Sequence, residues 1–452
     1  MKKIFLLLIS LLISKSPSLA IDIVYPSSNP FSTTSSATFF IGSTTPDKPL
    51  LINDESIYVS KQGAFAHSVK LNLGANKFIL KSDDEIKEFN IIRKNSPKFQ
   101  SSNLELVEYS PTPYEVLNDN TPLRMTPINA GINRLSHLQK GVKVVVNGEK
   151  SGFYRVYLNS ELEGWITKDN LMTLDLTCDS LLPAEILKKK VQKNNEYLTY
   201  QFELSKKVPY IVKEVESGLV LEIFNLQGEQ DSTYKLQVPL EKIFGYNVEW
   251  QDNCLVFKVR KFPVLSQKKI LKNIVITIDA GHGGCESGSV GCCGEKEKDI
   301  NLVIAKYLKN ELKSRGANVV MTREDDVKIS LQDRVKIAKD SNSSILISIH
   351  ANALPDIENP INNRGTSVYY YHNQAKTLAD CILEQITTQT GTNNDKVRRG
   401  SLALVRSTCA VSVLVEVAYM INPDDYALLT DDTFRKNCAK AIADGVENYL
   451  KK

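Results

Sequence analysis

The chain has 452 residues, 42% of them hydrophobic and 24% charged, with a net charge of +4. At roughly 100–200 residues per domain the length predicts three or four domains, and the composition excludes wholesale disorder. Lys2, Lys3 and Lys15 all fall in the first twenty residues, so the remainder carries only +1; that near-neutrality excludes nucleic acid as a partner, because phosphate binding wants a basic surface.

Residues 1–20 read as a secretory signal peptide. Lys2-Lys3 is a basic start, Ile4 to Ile13 is an apolar run broken by Ser10, and Ser18-Leu19-Ala20 puts small residues at both positions a signal peptidase reads. The run is too short to span a bilayer, and no later segment has the roughly 20 apolar residues a spanning helix needs. No membrane span is therefore expected after cleavage, and no Cys follows the run to indicate a lipid anchor. The expected location is secreted, in the periplasm or cell wall.

Residues 21–95 alternate short strand-like runs with turn signals, as in Leu50-Leu51-Ile52-Asn53-Asp54 and Leu71-Asn72-Leu73-Gly74. The pattern predicts a small β sandwich and weakly resembles bacterial Ig-like modules. Residues 96–113, rich in Ser, Pro and Asn, read as a linker. Residues 114–175 read as a second β domain: Val142–Val146 runs into Asn147-Gly148, a hairpin signal, followed by Phe153-Tyr154-Arg155-Val156-Tyr157 and Gly164-Trp165-Ile166. This resembles a bacterial SH3 module, a family whose members bind cell-wall components, although Trp165 is read equally well as core. Residues 176–264 are a third β domain, with Leu198, Tyr200, Phe202 and Leu204 alternating with polar residues. It resembles the AMIN module found ahead of cell-wall amidases.

From residue 265 to 452 strands alternate with helices, which predicts an α/β domain whose sheet is largely parallel and flanked by helices. Only five His occur in the chain, and two lie at strand ends: His282 in Asp279-Ala280-Gly281-His282-Gly283-Gly284, and His350 in Ser348-Ile349-His350-Ala351-Asn352. In open α/β sheets ligands bind outside the carboxyl ends of the strands. Glu297 opens a helix, where an isolated acid is usually explained by the helix dipole. Glu416 lies inside the apolar run Val413-Leu414-Val415-Glu416-Val417, and an ionisable group there wants a partner or a task. Two imidazoles and a carboxylate are a catalytic zinc set with room for water, and a second carboxylate serves as general base. The residues alone thus predict a metallohydrolase.

These motifs, with Thr322-Arg323-Glu324-Asp325-Asp326, Arg334 and Leu414-Val415-Glu416-Val417-Ala418-Tyr419-Met420-Ile421-Asn422, resemble the N-acetylmuramoyl-L-alanine amidases of the Amidase_3 type over about residues 272–450. The resemblance implies Zn²⁺ on His282, Glu297 and His350, with Glu416 catalytic. The implied substrate is peptidoglycan, cut between N-acetylmuramic acid and L-alanine. Two other readings stand beside it: a wall-binding protein with an inactive amidase domain, and a zinc peptidase acting within stem peptides. His67, His137, His372, Arg398 and Arg399 are expected to take no catalytic part. Cys285, Cys292 and Cys293 lie between two ligands, and a disulfide from Cys285 to one of the others is expected. Residues 351–364 carry Pro355 and Pro360 and cannot easily form the inserted helix that plugs the zinc site in some relatives.

Overall fold

The computed structural model describes residues 21–83, 85–96, 105–175 and 181–452; the signal-peptide segment 1–20 lies outside them. Upstream of residue 265 the chain is built from strands. Residues 22–93 form two sheets, one of three strands and one of five. They face each other through aromatic rings: Phe40 meets Phe78 and Phe89 edge-on at centroid distances of 5.4 and 5.3 Å.

Residues 107–173 form a seven-stranded sheet. Its first strand, Val107–Val116, takes up the second half of the segment read as a linker; residues 97–104 are outside the description. The Asn147-Gly148 pair does not make the expected hairpin turn. The strand continues through it from Lys143 to Lys150, and the turn falls at Ser151-Gly152, both at positive φ. The pairing register shifts between Val146 and Gly148, so Asn147 is the extra residue of a bulge. Its side chain accepts a 2.8 Å hydrogen bond from Arg155 Nε, and a Cβ at position 148 would press on the Val107 carbonyl at 2.9 Å. Trp165 is buried in this sheet.

Residues 186–260 make a four-stranded and a three-stranded sheet. Their core is continuous with that of the preceding sheet: Val144, Val146 and Leu138 belong to one cluster with Phe202, Leu221 and Phe257.

In the last region the elements are β1 (Val275–Ala280), α1 (Glu297–Ser314), β2 (Asn318–Met321), α2 (Leu331–Asp340), β3 (Ile345–Asn352), β4 (Thr366–Tyr370), α3 (Lys376–Thr390), β5 (Asn394–Arg399), β6 (Val411–Tyr419), α4 (Pro423–Thr430) and α5 (Asp432–Lys451). The sheet order is β2-β1-β3-β6-β4-β5. β2, β1, β3 and β6 run parallel, whereas β4 pairs antiparallel with β6 and carries β5 alongside it. The sheet is mixed, with four parallel strands and two reversed at one edge. The central strands are buried on both faces, which is why they read as unbroken apolar runs. α1 buries Ile300, Ile304, Leu308 and Leu312, spaced four apart, against them. No helix among the described residues is long and apolar enough to cross a membrane.

Candidate metal centre

The predicted site residues come from the turn after β1, the first residue of α1, the last part of β3 and the interior of β6. β1 ends at Ala280, and the chain turns through Gly281, His282, Gly283 and Gly284. His282 itself adopts a left-handed backbone, φ 62°, which is unusual for a residue with a side chain. Gly281 is required for a different reason: a Cβ there would sit 2.3 Å from the His350 ring. Two buried guanidinium groups fix the turn. Arg323 donates to the carbonyls of Ala280 (2.8 Å) and Gly281 (2.9 Å), and Arg334 to those of Ala280 (2.8 Å) and His282 (2.7 Å). Arg334 also pairs at 2.7 Å with Asp279, whose carboxylate accepts from Thr322 and Ser348 at 2.6 Å each. A buried charge so thoroughly hydrogen-bonded is a frame for the turn.

Glu297 is the first residue of α1 and is buried. Its Oε1 accepts from Asn301 Nδ2 (3.1 Å) and the Ala351 amide (3.2 Å), its Oε2 from the Ser289 amide (2.9 Å). Against this fixed carboxylate stand His282 Nε2 at 3.2 Å and His350 Nδ1 at 2.9 Å, with the two imidazole rings nearly perpendicular and 4.9 Å apart. One donor atom from each of His282, Glu297 and His350 lies within 4.8 Å of the others. Burial alone would raise the Glu297 pKa, but the hydrogen bonds and charges of the two histidines hold it well below the carboxylate range. A carboxylate that stays ionised between two imidazoles suits a divalent cation.

Glu416 lies on β6, paired across the sheet with His350 on β3. It is not in the three-residue group. Burial, reinforced by the charge of Glu297 and opposed by His350, lifts its pKa from 4.5 to about 7. Its Oε2 is buried without a hydrogen-bond partner among the described residues, a costly state for a carboxylate unless it faces something that exchanges protons. The donor set of two imidazoles and a fixed carboxylate fits a zinc ion, and the orphaned oxygen of Glu416 lies outside that set.

The remaining histidines stand elsewhere. His67 is half-buried on a β strand facing Phe40, His137 lies beside Arg134 at 2.8 Å, and His372 beside Glu214 at 3.4 Å. Arg398 pairs with Asp395 at 2.5 Å and is partly exposed. Cys285 and Cys293 are exposed and Cys292 is buried, all as free thiols, so the expected disulfide is absent. Cys292 instead packs into the core with its Sγ 4.0 Å from the Ile421 carbonyl. Residues 353–365 contain no helix. The sequence reading had assigned no role to Asp279, Asn301 or Ser289. Asn301, one turn after Glu297, and Asp279, an acid inside an apolar strand, carried signals that could have been read.

Residues 276–448 match the family model described as N-acetylmuramoyl-L-alanine amidase. A probable cell wall amidase, LytH of Staphylococcus aureus, is 34% identical over 186 residues, covering 41% of this chain and 61% of the relative. The chain thus spans about three-fifths of the length of the curated relatives it matches. Among solved structures, the amidase AmiC2 of Nostoc punctiforme is 34% identical over 40% of this chain and 98% of that one, with a TM-score of 0.38. The catalytic domain of the amidase CwlV from Bacillus (Paenibacillus) polymyxa is 35% identical over 39% and 98%, with a TM-score of 0.37. Residues 276–448, which carry His282, Glu297, His350 and Glu416, are a domain of the N-acetylmuramoyl-L-alanine amidase family.

Proposed function

We propose that this protein is a zinc-dependent cell-wall amidase that hydrolyses the bond between N-acetylmuramic acid and L-alanine in peptidoglycan, acting outside the cytoplasm. The observation that carries the reading is the pairing of a three-donor group, His282, Glu297 and His350, with a further acid, Glu416, that is half-buried, carries a buried, unpartnered Oε2 and is raised to about 7.

His282, Glu297 and His350 would hold Zn²⁺. When bound there, zinc supplies a Lewis acid that polarises the scissile carbonyl and acidifies a water. Glu416 accepts the proton of the attacking water and passes one to the leaving amine. Its raised pKa keeps both proton states accessible near neutrality. Asn301, Ser289 and Ala351 hold the Glu297 carboxylate in one orientation, and Arg323 and Arg334 hold the His282 turn. The upstream β regions are read as modules that keep the enzyme on the wall.

Mass spectrometry of purified peptidoglycan digested by the protein, with and without a chelator, tests the reading. Free stem peptides together with peptide-free muramic acid, abolished by the chelator and restored by zinc, are expected. Fragments cut within the stem would establish a peptidase, and unchanged wall would establish an inactive, wall-binding protein.

A further inference from the structure

A cavity of about 390 Å³ lies where three parts of the chain meet, and none of its lining residues is one of the four site residues. Arg134 and His137 enter it from the strand Arg134–Leu138 of the seven-stranded sheet. Tyr210, Tyr246 and Glu249 line it from the following β region. Tyr371, His372 and Arg406 line it from the C-terminal region.

Its charge balance is unusual. Arg134 Nη1 lies 2.8 Å from His137 Nε2, while its Nε is buried with no acceptor. Arg406 donates only to Ser401, at 2.8 Å to the carbonyl and 3.3 Å to the hydroxyl. Among the described residues neither guanidinium has a carboxylate partner. The acids nearby are already engaged. Glu249 is held by Lys339 at 2.6 Å. Glu214 is held by His372 at 3.4 Å, the Tyr246 hydroxyl at 3.1 Å and the Gln374 amide at 3.0 Å. The two arginines feel each other: burial and then Arg134 push the Arg406 pKa down. Burial, Arg134 and Arg406 together push His137 down to about 4, so it stays neutral. Two uncompensated cations in a shared, half-buried space are unfavourable until an anion joins them. The planar forks suit a two-oxygen group, and a cavity of this volume takes a small organic molecule.

We propose that this cavity binds a small anionic ligand through a carboxylate or phosphate group held between Arg134 and Arg406. Because its walls come from three regions, the bound ligand ties the upstream sheets to the C-terminal region. Two sources share this chemistry: peptide carboxylates released from the wall, and phosphate.

The test is calorimetric titration of the full chain with two probes, inorganic phosphate and the tripeptide L-Ala-γ-D-Glu-L-Lys. Saturable binding of at least one is expected with a Kd below about 1 mM, weakened about tenfold or more by Arg134→Gln and by Arg406→Gln. Which probe binds identifies the source. Arg406→Lys, which keeps the charge but loses the fork, is expected to weaken binding less than Arg406→Gln, and it stands in should Arg134→Gln fail to fold. Flat titrations of the unsubstituted chain with both probes overturn the proposal. So does binding that survives the substitutions, since that would place the anion elsewhere, for instance at the His282–Glu297–His350 group.

Discussion

Glu416 and Glu297 are two carboxylates of one site pushed in opposite directions by their neighbours. Glu297 is surrounded by donors and stays ionised; Glu416 is half-buried beside another negative charge and is raised to about 7. That divergence separates a ligand from a base. Glu416→Gln keeps the size and removes the proton acceptor, so it is expected to keep stoichiometric zinc while losing on the order of 10²–10⁴ in turnover. His350→Ala, by contrast, should lose metal and activity together. Elemental analysis beside peptide release from purified wall separates the two, and a Gln variant that lost zinc would make Glu416 a ligand. The same residue has a stability consequence in the metal-free protein. A carboxyl raised from 4.5 to about 7 in the fold binds its proton more tightly there than in the unfolded chain. Its contribution is complete below about pH 4.5 and is lost as pH rises through 7, a change of about 3 kcal/mol. Burial lowers the His350 pKa, but Glu297 and Glu416 raise it further, which adds a loss of the same sign. Denaturant unfolding of chelated protein should therefore show stability falling between pH 5 and 8, and Glu416→Gln should flatten the larger share of that fall.

The turn after β1 joins sequence to site most directly. Asp279-Ala280-Gly281-His282-Gly283-Gly284 was legible because glycines beside a histidine at the end of an apolar strand have few structural explanations. Glu416 was legible because an acid in Val413–Val417 is out of place in a core. The frame around them was harder to see. Asp279, Arg334, Thr322 and Ser348 come from β1, α2, the end of β2 and β3, and only the parallel register brings them together. The Asn147-Gly148 pair misled for a related reason: turn chemistry is local, but Asn147 is held by Arg155 across the sheet, which converts the turn signal into a bulge. The reversal of β4 left no mark either, since an apolar strand reads the same in both directions, and β5 left none because Asn394–Arg399 is a polar, half-exposed edge segment that reads as a loop. Gly281→Ala tests how tightly the turn is fitted. The added methyl group would lie 2.3 Å from the His350 ring, so the ring must shift. A shift of that kind in a metal ligand is expected to weaken zinc affinity by 10-fold or more, while overpacking costs about 1–3 kcal/mol of stability. Competition with a chromophoric chelator measures the affinity. Unchanged affinity would mean that the ring has room the geometry does not show.

The N-terminal sheets do not hang free of the C-terminal region. The strand Ala37–Ser43 is buried on both faces: Phe40 points into its own sandwich, whereas Phe39 and Ile41, one residue out of phase, belong to the core cluster of the C-terminal region. Hydrogen bonds flank this contact, from Tyr25 to Asp356 at 2.8 Å and from Tyr58 to Asp424 at 2.6 Å. Asp356 lies in the segment after His350, and Asn422 at the foot of α4 clasps the same segment through the Pro360 and Ile361 carbonyls. The alternation rule identifies Phe39 as an outward residue, but no local pattern tells what would cover it. Since the ring is only 4% exposed, Phe39→Ala should cost about 3–5 kcal/mol, drawn from the coupling between the two regions more than from either alone. Phe40→Ala, of similar size, should instead destabilise the sandwich itself. Calorimetry on the full chain is expected to show the Phe39 variant separating into two transitions, the earlier belonging to residues 21–95, with the C-terminal transition still raised by zinc. Limited proteolysis should then release the N-terminal sheets as a discrete fragment. A Phe39 variant that melts in one step at the unsubstituted temperature would mean that this contact carries no stability and that the two regions fold without reference to each other.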